Sequence, residues 1–600
     1  MDRIENISEA LASATMDTTD KSDTVVAAES APTTTAAPSD APTAPSAAPT
    51  EKPKKQQKEA KEKKVAAKSK PQQGGGAAKK AGDSGDTKSI TEPKSGDLSE
   101  WYQQVILKGD MIDFTDIPGC YIYQPASYRI WEFITEYFND KIRAMGVKNC
   151  YFPLFISEAN LQREKDHIEG FAAEVAWVTE GGKSKLEKRL AVRPTSETAM
   201  YSFYSKKIRS HRDLPLKLNQ WNNVVRWEFK HAVPFLRTRE FLWQEGHTAH
   251  LTEEEAGKEV LQILDYYAAI YEELLAVPVV KGVKTKNEQF PGAHYTTTIE
   301  GFIPAVGRGI QAATSHCLGQ HFAKMFDITV EDPNQQIEAG GKRDKLHVWQ
   351  NSWGFTTRSI GVMILIHGDD KGLVIPPRVA EIQVVIVPAG INAKTTEQER
   401  TQLYADIEKI RSTLVTAGVR VEADLREGYT PAFKWAEWEL KGIPLRLEFG
   451  PKDSANGVVA TARRDIDGKP GKGSLPLSEL STGVPALLET IQKEMFARAD
   501  AEYAAHRRTV TEWKDFVPTL NDKNVLLVPH CLGGPCEDQI KADSTGHAEG
   551  QTVDARAPSM GAKSLCIPAE QPPAWKEGQL CVNPKCGEKA VKWVMFGRSY

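Results

Sequence analysis

Arginine, aromatic and carboxylate side chains crowd one stretch of this 600-residue chain, residues 223–247, NVVRWEFKHAVPFLRTREFLWQEGH. Arg226, Arg237 and Arg239 carry planar guanidinium forks that match phosphate oxygens two at a time. Phe241 and Trp243 offer ring faces for stacking, and Glu228 offers a carboxylate for an amine. The set suits a nucleotide. A solvated, salt-bridged hairpin is the better account of any single Arg-x-Glu, but it leaves the whole run unexplained. Residues 193–197, RPTSE, bring Thr195 and Glu197 to the start of a helical segment, where capping is the plain alternative. Residues 307–319, GRGIQAATSHCLG, set Gln311, Thr314 and His316 among the small residues Gly309, Ala312 and Ala313, which admit close backbone approach. A packed glycine-rich strand would read the same way. Residues 350–358, QNSWGFTTR, end in Arg358. In the tail, Cys531-x4-Cys536 and Cys581-x4-Cys586 are two thiol pairs that suit tetrahedral, structural Zn2+, with buried free thiols as the alternative. Cys566 lies between the pairs among apolar neighbours and is left out of the set.

The elements that must carry these groups follow from periodicity. Val225, Trp227 and Phe229 alternate with Arg226, Glu228 and Lys230, which predicts a strand with Arg226 and Glu228 on one face. Pro234 marks residues 231–236 as a hairpin tip. The return strand then brings Arg237, Arg239, Phe241 and Trp243 to one side of the ribbon. Residues 128–145 show helical spacing, with Gly146 as the stop. Residues 149–156 read as a strand that Pro153 confines to an edge or bulge. Thr252 and Glu255 form a capping box opening another helix. From residue 380 strands and helices alternate, predicting a small α/β domain with a mixed sheet.

Composition bounds the reading. Hydrophobic residues make up 40% and charged residues 26% of the chain, as in ordinary globular proteins. No apolar run approaches bilayer length, and the acidic N-terminus resembles neither a secretion signal nor an Arg-rich transit peptide; a cytoplasmic protein with no membrane partner is expected. The net charge of −4 confines nucleic-acid contact to local patches. Eight cysteines in so long a chain suggest a reducing compartment rather than a disulfide scaffold. Residues 1–95 lack large apolar side chains and are expected to be disordered. Within them, residues 51–70 hold nine Lys and three Glu, which fits an RNA tether or a solubilising tail equally well.

The 223–247 run resembles motif 2 of the class II aminoacyl-tRNA synthetases, and its wording is similar to the prolyl-tRNA synthetases of the eukaryotic/archaeal type. The resemblance extends over about residues 97–600. It implies an α+β fold: a class II synthetase catalytic domain with an antiparallel sheet at 96–376, an α/β anticodon-binding domain at 377–490 and a C-terminal zinc-binding-like domain at 505–600, after the 1–95 extension. The helix–strand–Pro unit of residues 128–156 resembles motif 1 and implies a homodimer; residues 350–358 resemble motif 3. By resemblance, Thr195 and Glu197 take the amine of L-proline, Trp243 and His316 wall its ring, and Arg226 serves both proline and ATP. Glu228, Arg237, Thr238, Phe241, Gln311, Thr314 and Arg358 are implied ATP contacts, with Mg2+ at the phosphates. The implied activity is the ATP-dependent joining of L-proline to tRNA(Pro). The alternative is a catalytically silent paralogue acting as a tRNA-binding scaffold. Other signatures fail: the GKS of residues 182–184 has Trp177 where a phosphate loop needs glycine, and neither HExxH nor G-x-S-x-G occurs.

Overall fold

The structure, a computed structural model, describes residues 89–165, 175–227, 232–336, 341–392, 394–545, 561–572, 575–576 and 578–600. Nearly all of the Lys-rich extension, and also Glu228 and His231, lie outside the described residues.

Seven strands form the scaffold under the residues singled out above. They are β1 (Lys148–Asn149), β2 (Leu216–Val225), β3 (Glu240–His250), β4 (Val280–Val283), β5 (Tyr295–Ile303), β6 (Arg308–Gly319) and β7 (Trp349–Thr356). Their order across the sheet is β4-β5-β6-β7-β3-β2-β1. Every pairing from β4 to β2 is antiparallel, as expected, and β1 joins parallel at the outer edge. Alternate residues therefore face a helical layer and a cleft.

Of the helices α1 (Pro125–Ala144), α2 (Glu197–Lys207), α3 (Glu253–Ala269) and α4 (Arg358–His367), α1, α3 and α4 form the helical layer, and α2 packs on the cleft face, where Tyr201 bonds His247. On α1, Ile130, Trp131, Ile134, Phe138 and Ile142 recur at helical spacing and are buried. Phe138 stacks on Tyr267 at 5.2 Å and meets Trp353 edge-on at 6.0 Å. In α4 every residue from Ser359 to Leu365 is buried, so its unbroken apolar run marks a helix inside the core. Where β7 crosses β3, Trp353 covers Gly246. A Cβ at Gly246 would lie 2.2 Å from the indole, so only glycine fits there.

Several local expectations change. Residues 149–156 do not form one strand: Pro153, lacking an N–H, separates β1 from a short strand Phe155–Ser157, which pairs with Ser184–Val192 in another sheet. The main hairpin pairs Val225 with Glu240, so β2 ends before Arg226 rather than running to Lys230. Arg239 leaves the shared face of the ribbon. Its Nη1 donates to the Pro118 carbonyl at 3.1 Å and its guanidinium lies over Trp227 at 4.5 Å. Thr252 caps α3 by accepting from the Glu255 N–H, but the Glu255 carboxylate accepts from Leu251 N–H, so the box is only half formed.

Beyond α4, five strands form a separate mixed sheet in the order Val421–Ala423, Val384–Pro388, Leu445–Phe449, Val458–Arg463, Lys472–Pro476. The first three run parallel and the rest antiparallel. The helix Glu397–Thr416 begins with a complete capping box of Thr396 and Glu399. The 27-residue helix Leu480–His506 then leads into the tail. The tail strands extend the large sheet: Ile567 pairs with Val283 of β4, and Arg598 pairs with Arg308 of β6. Gly309 serves this junction, since a Cβ there would lie 2.6 Å from Leu565. Among the described residues no helix is long and apolar enough to cross a membrane.

Candidate active site

One cavity of about 360 Å³ opens on the cleft side of the large sheet. Thr195, Glu197, Arg226, Arg237, Thr238, Phe241, Trp243, Gln311, Thr314, His316 and Arg358 all line it. They come from five segments: the start of α2, the β2–β3 connection, β3, β6 and the N-terminus of α4. Of the residues expected at the nucleotide and amine sites, only Glu228 is not placed, because it lies outside the described residues.

At one end Thr195 Oγ1 donates to the Glu197 carboxylate, and both residues are buried. Thr195 is therefore not a helix cap: Ser196 occupies the N-cap position, and its side chain makes no capping bond. Arg193 ties the segment down, donating to the Asn223 carbonyl at 2.8 Å and the Phe152 carbonyl at 2.8 Å. His316 bonds Thr296 Oγ1 through Nδ1 at 2.9 Å and Thr314 Oγ1 through Nε2 at 3.1 Å. Burial first, and then the nearby His247, hold its pKa at about 3, so its ring is neutral around pH 7. The Phe290 ring lies 4.8 Å from it.

At the other end Arg226, Arg237 and Arg358 converge. The Arg226 guanidinium lies over Trp243 at 5.2 Å and Phe241 at 5.7 Å. Arg358 donates from Nε to the Leu236 carbonyl at 3.1 Å and from Nη1 to the Gln311 carbonyl at 3.0 Å. Neither Arg226 nor Arg358 is ion-paired to a carboxylate among the described residues. Burial pulls the Arg358 pKa below its ordinary value, and the neighbouring Arg237 and Arg226 press the same way despite the opposing pull of Tyr271. Arg226 and Arg358, with no ion-paired carboxylate among the described residues, are ready for a polyanion.

Glu245, His247 and Ser352 are among the lining residues that were not singled out from the sequence. The first two continue the period-two face of Phe241 and Trp243 along β3, and that signal was available. Ser352 pairs across the sheet with both His247 and His316. Its buried hydroxyl has no hydrogen-bond partner among the described residues.

In the tail, Cys536 and Cys581 sulfurs are 3.6 Å apart and Cys531 and Cys586 sulfurs 3.4 Å apart. All eight cysteines are free. A tetrahedral ion with bonds of ~2.3 Å separates its sulfurs by ~3.8 Å, so both pairs fit. Cys581 is the thiol held below its ordinary value, because Cys536 donates to it. His530, and not Cys586, joins Cys531, Cys536 and Cys581 in a group whose donor atoms lie within 4.8 Å of one another; its Nδ1 accepts from Leu532 N–H at 3.0 Å, and its buried Nε2 has no partner among the described residues. Cys566 is buried beside Gly282 and is not in that group.

Three family models match segments of the chain. Residues 177–366 match the tRNA synthetase class II core domain (G, H, P, S and T), residues 383–487 the anticodon binding domain, and residues 513–600 the prolyl-tRNA synthetase C-terminal family. The cytoplasmic proline–tRNA ligase of Arabidopsis thaliana is 50% identical over 87% of this chain and 94% of its own length. The chain belongs to the proline–tRNA ligase family. The proline–tRNA ligase of Encephalitozoon cuniculi is 47% identical over 85% of this chain and 99% of its own. A crystal structure of Cryptosporidium parvum prolyl-tRNA synthetase complexed with halofuginone and AMPPNP superposes with a TM-score of 0.77 at 46% identity, covering 86% of this chain and 97% of that one. Proline–tRNA ligase is an ATP-dependent aminoacyl-tRNA synthetase, and the α+β fold is that of its class II core with an anticodon-binding domain.

Proposed function

We propose that the cavity binds L-proline at the Thr195–Glu197 end and ATP along the arginines, and that Arg226 bridges the two. The observation that carries this assignment is the single cavity shared by an amine acceptor pair and three converging guanidiniums. Proline's secondary ammonium has two N–H donors; Glu197 supplies charge and Thr195 a second oxygen. Trp243 and His316 wall the ring. Proline's carboxylate oxygen attacks the α-phosphorus of ATP, the P–O bond to the β-phosphate breaks, and pyrophosphate leaves. The 3′-terminal ribose hydroxyl of tRNA(Pro) then attacks the prolyl carbonyl and AMP leaves. The first step needs no base, because proline's carboxylate is ionised at neutral pH; in the second the hydroxyl proton passes to the departing AMP phosphate, so positioning and charge dominate. Arg226 meets the charge growing on the α-phosphate, Arg237 and Arg358 hold the β,γ end, and Phe241 with Arg358 brackets the adenine. Thr238, Gln311 and Thr314 supply polar contacts, and Glu228 is assigned to the nucleotide by its place in the motif.

Mg2+ takes oxygen donors and is usually carried by substrate phosphates and water. Gln311, Thr314 and Thr238 are the neutral oxygen-bearing side chains of the lining that stand with the arginines in the ATP assignment, so this donor set fits an ion brought in with the nucleotide. It would neutralise the leaving pyrophosphate. A structural Zn2+ would be held by Cys531, Cys536, Cys581 and Cys586. A homodimer is supported by the exposed apolar residues Phe114, Ile117 and Ile122 on one small hairpin, with Tyr128, Tyr151 and Phe155 also exposed. A cytoplasmic location is supported by the Arabidopsis relative's name. Proline-dependent ATP–pyrophosphate exchange, with threonine, serine and alanine as controls, tests the assignment. Exchange that does not depend on proline refutes it.

A further inference from the structure

Two carboxylates, not one, stand at the amine end of the cavity. Oxygens of Glu197 and Glu245 and a ring nitrogen of His247 lie within 4.8 Å of one another, and all three residues are buried and line the cavity. The Glu245 carboxylate has little bonding capacity left for a ligand. Oε1 accepts from Ser196 Oγ at 2.5 Å, Gln220 Nε2 at 2.7 Å and Asn222 Nδ2 at 2.9 Å. Oε2 accepts from Ser196 N–H at 3.2 Å and faces His247 Nε2 at 3.0 Å. Burial alone would push its pKa up, but these donors, His247 foremost, bring it below the ordinary carboxylate value, so Glu245 stays ionised. An ionised carboxylate only accepts, so His247 must present its proton at Nε2. Its Nδ1 lies 3.1 Å from the Tyr201 hydroxyl.

Beside this group the buried Ser352 Oγ and Trp243 Nε1 have no partner among the described residues; the hydroxyl can accept from an ammonium, while the indole N–H only donates and suits the ligand's carboxylate. Ser352 is the cross-strand neighbour of His247. A wall with concentrated negative charge and unused polar atoms calls for a cationic ligand that also bonds.

We propose that Glu245 is a specificity-determining residue for the amino acid. It supplies fixed negative charge, while Glu197 and Thr195 make the direct contact, so the subsite selects a charged ring amine over a neutral ring of the same shape. This rests on the assignment of proline to the Thr195–Glu197 end.

The test uses the full-length enzyme, L-proline and tetrahydrofuran-2-carboxylate, which replaces the ring ammonium with an ether oxygen. Competition in ATP–pyrophosphate exchange gives the ratio of the analogue's inhibition constant to the KM of proline. In E245Q, which keeps size but removes charge, that ratio is expected to fall at least tenfold, KM for proline to rise at least tenfold, and KM for ATP to change less than twofold. E245D, which keeps the charge, is expected to hold the ratio within threefold of wild type. An unchanged ratio in E245Q, equal rises in both KM values, or equal loss in E245Q and E245D overturns the proposal. If E245Q does not fold, Ser196→Ala removes one donor from the same carboxylate and is expected to lower the ratio about threefold; no change there overturns it too. Wild-type exchange that did not depend on proline would instead refute the assignment on which this rests.

Discussion

Arg226 Nε donates to the carbonyl of Pro194 at 3.0 Å. Pro194 precedes Thr195, and Glu197 follows two residues later, so this bond joins the two ends of the cavity that are proposed to take the amine and the phosphates. The guanidinium keeps its remaining N–H groups towards the cavity while its Nε is fixed. It can therefore be aimed without being neutralised, which is what a group meeting transient charge requires.

Removing that group should be costly. Arg226→Ala is expected to raise the activation barrier by about 2.7–4 kcal/mol, as for one lost oxyanion donor. Arg226→Lys should recover little, because an ammonium cannot hold Pro194 and present a planar fork together. Steady-state exchange kinetics decide the matter; wild-type rates in Arg226→Ala would remove the residue from the reaction.

Gly246→Ala should destabilise the fold. The added methyl would enter the Trp353 indole, and overpacking of a dense core costs about 1–3 kcal/mol, occasionally more. Its neighbours in the chain are Glu245 and His247, so proline binding should weaken as well. A variant with unchanged melting temperature would show that Trp353 can move aside.

Acid should weaken the fold in two stages of the same sign. His316 at about 3 and His367 at about 4 are kept neutral by burial. The unfolded chain binds their protons below about 6.5, so stability begins to fall there. Glu259 opposes its burial with His250 at 3.0 Å, Lys217 at 3.1 Å and Thr248, which hold its pKa at about 2. Its contribution is complete above the unfolded value near 4.5 and is lost as pH falls towards 2, on the order of 3 kcal/mol in all. Denaturant titrations from pH 7 to pH 2.5 should show both stages, and Glu259→Gln should flatten the second. An unaltered slope between pH 4.5 and 2.5 would exclude Glu259 as its source.

Zinc removal should reach the large sheet. Wild-type protein is expected to contain about one zinc per chain, Cys581→Ser markedly less and Cys566→Ser the same as wild type. Because the tail pairs with β4 and β6, loss of the metal should also lower the melting temperature of the whole molecule. Elemental analysis showing no zinc in wild type would end the assignment.

Much of this was legible in the sequence because it is local. The alternation of strands and helices expected from residue 380 onward is observed, with strands at 445–449 and 458–463 and a capping box of Thr396 and Glu399 opening the helix Glu397–Thr416. Motif wording brought Thr195, Glu197, Arg226, Gln311 and Arg358 together as candidates although 163 positions separate the first from the last.

Packing alone settled the rest. Arg239 has the same residue type and spacing as its neighbours, yet the Pro118 carbonyl and Trp227 draw it away. Gly309 looks like a ligand-contacting glycine and instead makes room for Leu565 from a segment more than 250 residues later. Glu245 and His247 share the face of Trp243, but only the meeting of β3 with the start of α2 gives them Ser196, Tyr201 and Glu197 as company. Periodicity along a strand fixes which face a side chain takes; what stands opposite that face depends on non-local pairing, which short-range pattern does not encode.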